Sequence, residues 1–222
     1  MKIVTVLKVG GEYNEAHVEW LTKQLAGHEV YCITDSALED KAFLQSTGAT
    51  KIVLRYNAWG AKRGWWAKME LFRPELKGAL GDFLYVDLDT VILNAALPDL
   101  GPAPIVLADF YFPGTSIGSG LMWLPQACRD AIWERWIACP EEHISHNFGD
   151  QDFLTPWLWN ADRWQDRFPH AVVSYKAHLS PDDGQQFYKP GFDDMSRIGV
   201  VCFHGNPRPW AAKQRANHEW IP

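Results

Sequence analysis

The first 90 residues alternate between short apolar runs and segments with helical periodicity. Runs rich in valine, isoleucine and leucine are typical of buried strands at residues 2–9, 29–34, 51–56 and 83–86. Between these runs, apolar positions recur at helical spacing over residues 13–25, 37–46 and 65–72. Because strands that alternate with helices form parallel sheets, the pattern predicts an α/β fold. Its central sheet is mostly parallel and flanked by helices, with a Rossmann-like N-terminal half.

The remainder of the chain follows a looser pattern. A proline-rich connection covers residues 97–104, and helices are expected over residues 128–139 and about 150–159. Further strands are predicted at residues 105–110, 120–125, 171–175 and 199–204. The polar stretch 176–198 is long and irregular, which favours a lid or a binding loop. The expected fold is one domain over residues 1–222, with a small antiparallel element beside the main sheet.

Composition excludes some classes of function. The 222 residues are 47% hydrophobic, and the net charge is −6 with no basic stripe, so we do not expect nucleic acid as a partner. The four cysteines form no C-x-x-C pair, which indicates buried thiols in a reducing compartment. Lys8 interrupts the N-terminal apolar run and no stretch is long enough to span a bilayer, so the prediction is a soluble cytoplasmic protein.

Two carboxylates interrupt the apolar segment FLYVDLDTVIL at residues 83–93. Asp87 and Asp89 follow a predicted buried strand, and residues two apart in an extended chain face the same side. The carboxyl ends of strands border the ligand crevice of an open α/β sheet. Ionised carboxylates are costly to bury, and a hard divalent cation such as Mn²⁺ or Mg²⁺ would relieve their repulsion. The alternative is a pair of capping or turn aspartates.

The segment GVVCFHGNPRPW at residues 199–210 is the second candidate. His204 ends a strand that is predicted to be buried, and a neutral imidazole could complete a metal site with the two aspartates. Gly205 would let the backbone approach a ligand, and Arg208 could hold a phosphate group. A hydrogen-bonded structural histidine is the alternative for His204.

Two further segments carry polar groups. NFGDQDFLT at residues 147–155 places Asp150, Gln151 and Asp152 at a predicted helix start, where acidic residues also simply complement the helix dipole. GWWAKMELF at residues 64–72 holds Lys68 between aromatic residues. A solvated lysine on an amphipathic helix is the alternative there.

Taken together and in this order, the segments resemble the glycosyltransferases of the glycosyltransferase-A fold, and within them the glycogenin-like family 8. The resemblance rests on Lys68 at a helix start and on four motifs: YVDLDTVI, GSGLMWL, GDQDFL and HGNPRPW. It covers about residues 1–210. Arg208 stands where that family usually has lysine.

The resemblance implies a role for each matched residue. The metal ligands, for Mn²⁺ or alternatively Mg²⁺, would be Asp87, Asp89 and His204. The donor would be bound by Lys68, Asp87, Ser119, Gly120, Gly205 and Arg208. Outside the matched motifs, the early GGEY segment is the candidate for holding the base, with Tyr13 as the donor-binding residue that would stack on it. The catalytic residues would be Asp150, Gln151 and Lys68.

The implied activity is metal-dependent transfer of a sugar from a nucleotide sugar, UDP-linked, with retention of anomeric configuration. The acceptor could be a glycan, a lipid-linked sugar, a protein or a small molecule. Residues 1–93 would form the nucleotide-binding half, ending in D-x-D. Residues 94–222 would complete the metal site and bind the acceptor.

Three other functions remain open at this point. DLDTV also matches the nucleophile motif of haloacid-dehalogenase-like phosphatases, in which Asp87 would attack phosphorus. Three strand–helix units precede the motif here, whereas it normally lies near the start of that domain. A non-catalytic nucleotide-sugar binding protein would use the same fold. A nucleotidyltransferase would normally carry a basic glycine-rich loop after the first strand, but VGGEYNEAH is acidic.

Overall fold

The structure is a computed structural model in which two sheets organise the chain. It describes residues 1–56, 59, 63–95, 99–192, 194–216 and 218–222. Residues 97 and 98 of the proline-rich connection, and residue 193 of the polar stretch, therefore lie outside the described residues. The described strands are β1 (Lys2–Leu7), β2 (Glu29–Thr34), β3 (Thr50–Val53), β4 (Phe83–Val86), β5 (Thr90–Ile92), β6 (Ile105–Ala108), β7 (Ile117–Leu124), β8 (Asp162–Arg163), β9 (Val172–Ser174) and β10 (Val200–Cys202).

Helices cover these strands. The described α-helices span Glu15–Gln24, Asp40–Thr47, Leu76–Leu80, Asp130–Ala138, Pro140–His146, Asp150–Leu158, Trp164–Arg167, Pro181–Gly184 and Pro209–Ala216. Shorter-pitch 3₁₀ helices span Gly64–Phe72, Gln126–Cys128, Gln185–Phe187 and Met195–Arg197, and a π-helical turn spans Tyr175–Leu179. None of the helices in the described part of the chain has both the length and the apolar character needed to cross a bilayer.

The main sheet has seven strands in the order β3-β2-β1-β4-β7-β6-β8. β3, β2, β1 and β4 are parallel to one another, β7 is antiparallel to both β4 and β6, and β8 is parallel to β6. A second sheet, β5-β10-β9, contains an antiparallel pair, β5 with β10, and a parallel pair, β10 with β9. The predicted mostly parallel α/β sheet and its small antiparallel element are both confirmed.

Burial on both faces explains the continuous apolar run of β4. Leu84 and Val86 pack into one core cluster, whereas Phe83 and Tyr85 pack into the cluster on the opposite face. Alternate side chains of a strand point to opposite faces, so a central strand covered on both sides needs apolar residues throughout. The ladder between β4 and β7 pairs Val86 with Leu121. This pairing fixes the position of the residues that follow β4.

Individual residues determine where two of the helices begin or end. Asn14 caps the first helix by accepting a hydrogen bond from the backbone nitrogen of Ala16 at 3.0 Å. The helix Asp40–Thr47 ends at Gly48, whose φ of +72° is a left-handed conformation that favours glycine. Residues 65–72 are helical as predicted, but the helix has 3₁₀ geometry.

The polar stretch 176–198 contains short helical turns rather than irregular chain throughout. Its Lys189 Nζ donates to the carbonyl of Phe110 at 3.0 Å, and Phe187 stacks on Tyr111 with ring centroids 4.3 Å apart. The stretch therefore packs over the loop that follows β6. The predicted lid or binding role remains a prediction.

Candidate active site

A cavity of about 690 Å³ lies beside the ends of β1 and β4 and the start of β7. Every residue for which the sequence predicted a site role lines this cavity: Tyr13, Lys68, Asp87, Asp89, Ser119, Gly120, Asp150, Gln151, His204, Gly205 and Arg208. Asp87 and Asp89 follow β4, and His204 follows β10. Residues from both predicted halves of the chain therefore meet at one place, while the role of each stays a prediction.

Lys68 is the cation at the centre of one buried polar group. Its Nζ lies 3.0 Å from Asp87 Oδ1 and 3.6 Å from Asp150 Oδ2. The hydroxyl of Ser119 donates to Asp150 Oδ2 at 2.7 Å. The hydroxyl of Tyr85 donates to Asp87.

Electrostatics keep Lys68 charged. Burial alone would lower its pKa, but Asp150 and Asp87 outweigh that effect and raise the pKa of Lys68 above its ordinary value. Burial raises the pKa of Asp150, and Lys68 opposes that shift. The ammonium thus compensates two largely buried carboxylates that would otherwise repel each other.

Asp89 belongs to a second polar group on the same cavity. Tyr13 donates its hydroxyl to Asp89 Oδ2 at 3.1 Å, and the guanidinium of Arg208 also contacts this carboxylate. Arg208 is held in turn by Glu12, to which Nε donates at 3.0 Å and Nη2 at 2.7 Å. Burial, together with repulsion from Asp87, raises the pKa of Asp89 to about 7 even though Arg208 opposes the shift.

The carboxylates of Asp87 and Asp89 repel each other, and a divalent cation bound between them would relieve this repulsion. Burial and, after it, repulsion from Asp87 raise the pKa of Asp89, and a bound cation would favour the ionised form of both carboxylates. Two carboxylates two residues apart, on one cavity, suit Mn²⁺ or Mg²⁺. The chemistry of the pair therefore fits a metal, provided that Arg208 releases Asp89.

His204 lines the same cavity but has partners of its own. Its Nε2 lies 2.6 Å from Ser174 Oγ, and its ring stacks on Phe110 with centroids 5.6 Å apart. Burial, followed by the charge of Lys176, lowers the pKa of His204 to about 4, so the imidazole is neutral near pH 7. A neutral imidazole is the form that ligates metals.

The arrangement of these side chains is not yet that of a loaded metal site. Within the described residues, no three His, Cys, Asp or Glu side chains form a ready group of metal ligands. The set of Asp87, Asp89 and His204 therefore stays a prediction that needs a rearrangement of His204 and Arg208.

Two glycines have steric reasons for their positions. A Cβ on Gly120 would lie 3.0 Å from Asp87 Oδ2, and the backbone nitrogen of Asp87 donates to the carbonyl of Gly120 at 2.9 Å. Gly205 has a φ of +74°, which side chains disfavour. A side chain would therefore be disfavoured at both positions, while their predicted place beside a ligand remains a prediction.

Gln151 is fixed by two partners. Its amide nitrogen donates to Asp109 Oδ2 at 2.8 Å and to Ser116 Oγ at 3.1 Å. Because both bonds engage the nitrogen, the amide oxygen is the group that Gln151 can offer to a ligand.

Sequence reasoning did not assign Tyr85, Asp109 or Glu12 to the site, although each contacts a residue that it did assign. Tyr85 lies two residues before Asp87 in the same extended segment, so the spacing rule used for the aspartates could have found it. Asp109 directly follows β6, as Asp87 directly follows β4, and this carboxylate after a strand was a usable signal. Glu12 gave no signal, because its partner Arg208 is 196 residues away along the chain.

Comparisons with known proteins give a fold and no sequence family. No protein-family model and no curated protein matches the chain. In structure, the chain is similar to the glycosyltransferase GlyE of Streptococcus pneumoniae TIGR4. Two GlyE structures, one an apo form, match 94% of this chain with TM-scores of 0.64 and 0.65 at 16% sequence identity. This chain covers 56% and 55% of those chains, just over half their length.

A third similar structure is a glycosyltransferase involved in the glycosylation of the major capsid of PBCV-1. It matches with a TM-score of 0.48 and 13% identity, over 90% of this chain and 91% of that one, which is too distant to support an inference. Together with the sheet order, the likeness to GlyE shows that the chain has a glycosyltransferase-A-like fold. Membership of family 8 remains a prediction.

Proposed function

We propose that this chain is a metal-dependent glycosyltransferase that transfers a sugar from a UDP-sugar to a hydroxyl acceptor with retention of configuration. One observation carries the proposal most directly. On a fold similar to that of GlyE, a single cavity collects the acidic pair Asp87 and Asp89 together with the cations Lys68 and Arg208. Acidic ligands for a metal and cations for a diphosphate are the groups that a nucleotide sugar requires.

The charges in the cavity suit the bond that would break. Cleavage between the sugar carbon and the diphosphate builds negative charge on the leaving phosphate and positive character on the carbon. Lys68 and Arg208 would bind and neutralise the diphosphate, and Asp150 with the amide oxygen of Gln151 would face the sugar. A metal held by Asp87, Asp89 and His204 would supply a Lewis acid beside the leaving group.

Arg208 would change partners when the donor binds. In the present structure its guanidinium is engaged by Glu12 and Asp89. A diphosphate offers the same planar group several oxygens of higher charge, so it competes with both carboxylates for the guanidinium. This exchange would free the Asp89 carboxylate for the metal.

The proposal is tested by hydrolysis of a panel of nucleotide sugars with and without Mn²⁺. We expect a metal-dependent rate with at least one UDP-sugar, and we expect Asp89→Asn to lower kcat/KM about 100-fold or more, because it removes a metal ligand worth several kcal/mol. The matched control is Asp162→Asn, since Asp162 also pairs with an arginine, Arg167 at 3.3 Å, outside the cavity. A panel with no metal-dependent response, or full activity in Asp89→Asn, would overturn the proposal.

The anomeric configuration of the first product, read by proton NMR, tests retention.

A further inference from the structure

Two aromatic rings at the edge of the cavity keep large exposed surfaces. Trp65 is 41% exposed and Phe148 is 76% exposed, and both line the cavity. Their ring centroids lie 6.4 Å apart with 23° between the planes. The guanidinium of Arg63 lies 5.6 Å from the Trp65 centroid and 5.0 Å from that of Phe148. We call these three side chains the aromatic platform.

Specific contacts hold the aromatic platform in place. Arg63 donates through Nη1 to the carbonyl of Phe148 at 2.8 Å, and the backbone nitrogen of Phe148 donates to Asp152 Oδ2 at 3.0 Å. A Cβ on Gly149 would lie 3.1 Å from Trp65 Nε1, so the indole rests directly against the backbone there. The rings are therefore ordered although neither is part of the core.

The aromatic platform is joined to the catalytic side of the cavity. Phe148 and Gly149 immediately precede the helix Asp150–Leu158, whose first residue contacts Ser119 and Lys68. Trp65 lies three residues before Lys68 in the same 3₁₀ helix. Three other residues that line the cavity, Tyr13, Arg208 and Asp89, contact one another. The exposed rings are thus held by the same two segments that carry Lys68 and Asp150.

We propose that the aromatic platform is the acceptor subsite and that the acceptor is a carbohydrate whose pyranose ring stacks on Trp65 and Phe148. This inference rests on the proposed function. The C–H face of a pyranose is apolar and packs against an aromatic face, whereas its hydroxyls need hydrogen-bonding groups at the rim. Arg63 and Asp152 supply such groups beside the rings.

Other acceptors fit these neighbours less well. An acyl chain needs a continuous apolar groove, but charged and amide side chains border the two rings. A large exposed apolar surface inside a cavity is itself a mark of a ligand site, because solvent exposure of such rings is costly.

The carbohydrate hydroxyl oxygen would bond to the anomeric carbon as that carbon's bond to the diphosphate oxygen breaks. The diphosphate leaves with the electron pair and takes up the hydroxyl proton.

The test separates the two substrates by their KM values. Methyl glycosides of glucose, galactose, mannose and N-acetylglucosamine, in both anomers, serve as acceptors with the UDP-sugar that the protein hydrolyses. We expect Trp65→Ala and Phe148→Ala each to raise the acceptor KM about tenfold, the equivalent of 1.4 kcal/mol of lost stacking, while the donor KM changes less than twofold. Trp65→Phe should restore most of the acceptor affinity.

Trp159 provides a closely matched control. It is 42% exposed, it has the guanidinium of Arg163 at 5.6 Å from its ring centroid, and it does not line the cavity. Trp159→Ala should therefore leave both KM values unchanged. A tenfold rise in the donor KM of Trp65→Ala would instead assign the rings to the donor and overturn the proposal.

Direct binding distinguishes failure of this inference from failure of the proposed function. Saturation-transfer difference NMR of the same methyl glycosides needs no turnover. Binding that is lost in Trp65→Ala supports the aromatic platform even if no donor is hydrolysed. Donor hydrolysis with no binding of any glycoside, or transfer to a serine or threonine peptide alone, contradicts a carbohydrate acceptor and leaves the transferase intact.

Discussion

The guanidinium of Arg208 contacts the carboxylate of Asp89 across 119 residues of chain, and it donates to both carboxylate oxygens of Glu12 as well. A cation from the C-terminal part of the chain thus occupies the place beside the acidic pair where a metal and a diphosphate would sit. Binding of the donor would have to displace this ion pair. The free energy of that exchange then becomes part of the donor affinity.

Replacing Arg208 with lysine tests the shape of this group separately from its charge. Arg208→Lys keeps one positive charge but loses the planar fork that reaches two oxygens at once, so we expect the donor KM to rise about tenfold. Steady-state hydrolysis of the donor measures the change. Arg167→Lys, which alters an arginine–aspartate pair outside the cavity, should not affect it. An unchanged donor KM in Arg208→Lys would show that Arg208 does not bind the diphosphate.

Removing the cation at Lys68 should destabilise the fold. Lys68→Met leaves Asp87 and Asp150 without the ammonium that lies 3.0 and 3.6 Å from them. Breaking such a buried pair costs about 3 kcal/mol or more. We expect Asp150→Asn to recover part of this loss in the double variant, because one of the two repelling charges is then gone. Urea unfolding of the single and double variants measures the coupling; additive losses would mean that the two side chains are not linked.

His178 should make stability depend on pH. Burial, together with the charge of Lys189, lowers the pKa of His178 to about 4, while its ordinary value is 6.5. Between these values the unfolded chain binds a proton that the folded chain does not. The contribution to stability is therefore complete above pH 6.5 and is lost as pH falls towards 4, by up to about 1.4 kcal/mol per pH unit.

The matched variant for this prediction is His178→Asn. Its amide oxygen can replace Nδ1 of His178, which accepts a hydrogen bond from the backbone nitrogen of Ser174 at 2.9 Å, but it does not titrate. Urea unfolding at pH 7 and pH 5 should show a smaller loss of stability in His178→Asn than in the parent protein. Equal losses in the two proteins would remove His178 from the explanation.

The sequence predicted those parts of the fold that follow from the pattern of apolar residues within a single segment. The buried run before Asp87 predicted β4 and its strand-end carboxylates, and the alternation of elements predicted the parallel sheet. The direction of β7 had no such signal, because apolar alternation is the same in parallel and antiparallel strands. The 3₁₀ geometry of residues 64–72 was equally hidden, since its apolar content resembles that of an α-helix.

The site was harder to predict at its long-range contacts. That Asp87, Asp89 and His204 share a cavity was expected, but the contact of Arg208 with Glu12 and that of His204 with Ser174 depend on how remote segments pack. Tyr13 was expected to stack on the base. The structure instead shows its hydroxyl on Asp89 and the Arg208 guanidinium 5.2 Å from its ring centroid, and the stacking role remains a prediction.

The central claim is that mid-chain carboxylates and a histidine near the C-terminus hold one metal ion, which binds the donor diphosphate. Crystals soaked with UDP and MnCl₂ test it by anomalous scattering at the manganese edge. We expect a single strong peak within ligand distance of Asp87, Asp89 and His204, with the diphosphate between the peak and Arg208. A bound nucleotide whose diphosphate has no such peak beside it, or a peak that leaves His204 on Ser174, would contradict the claim.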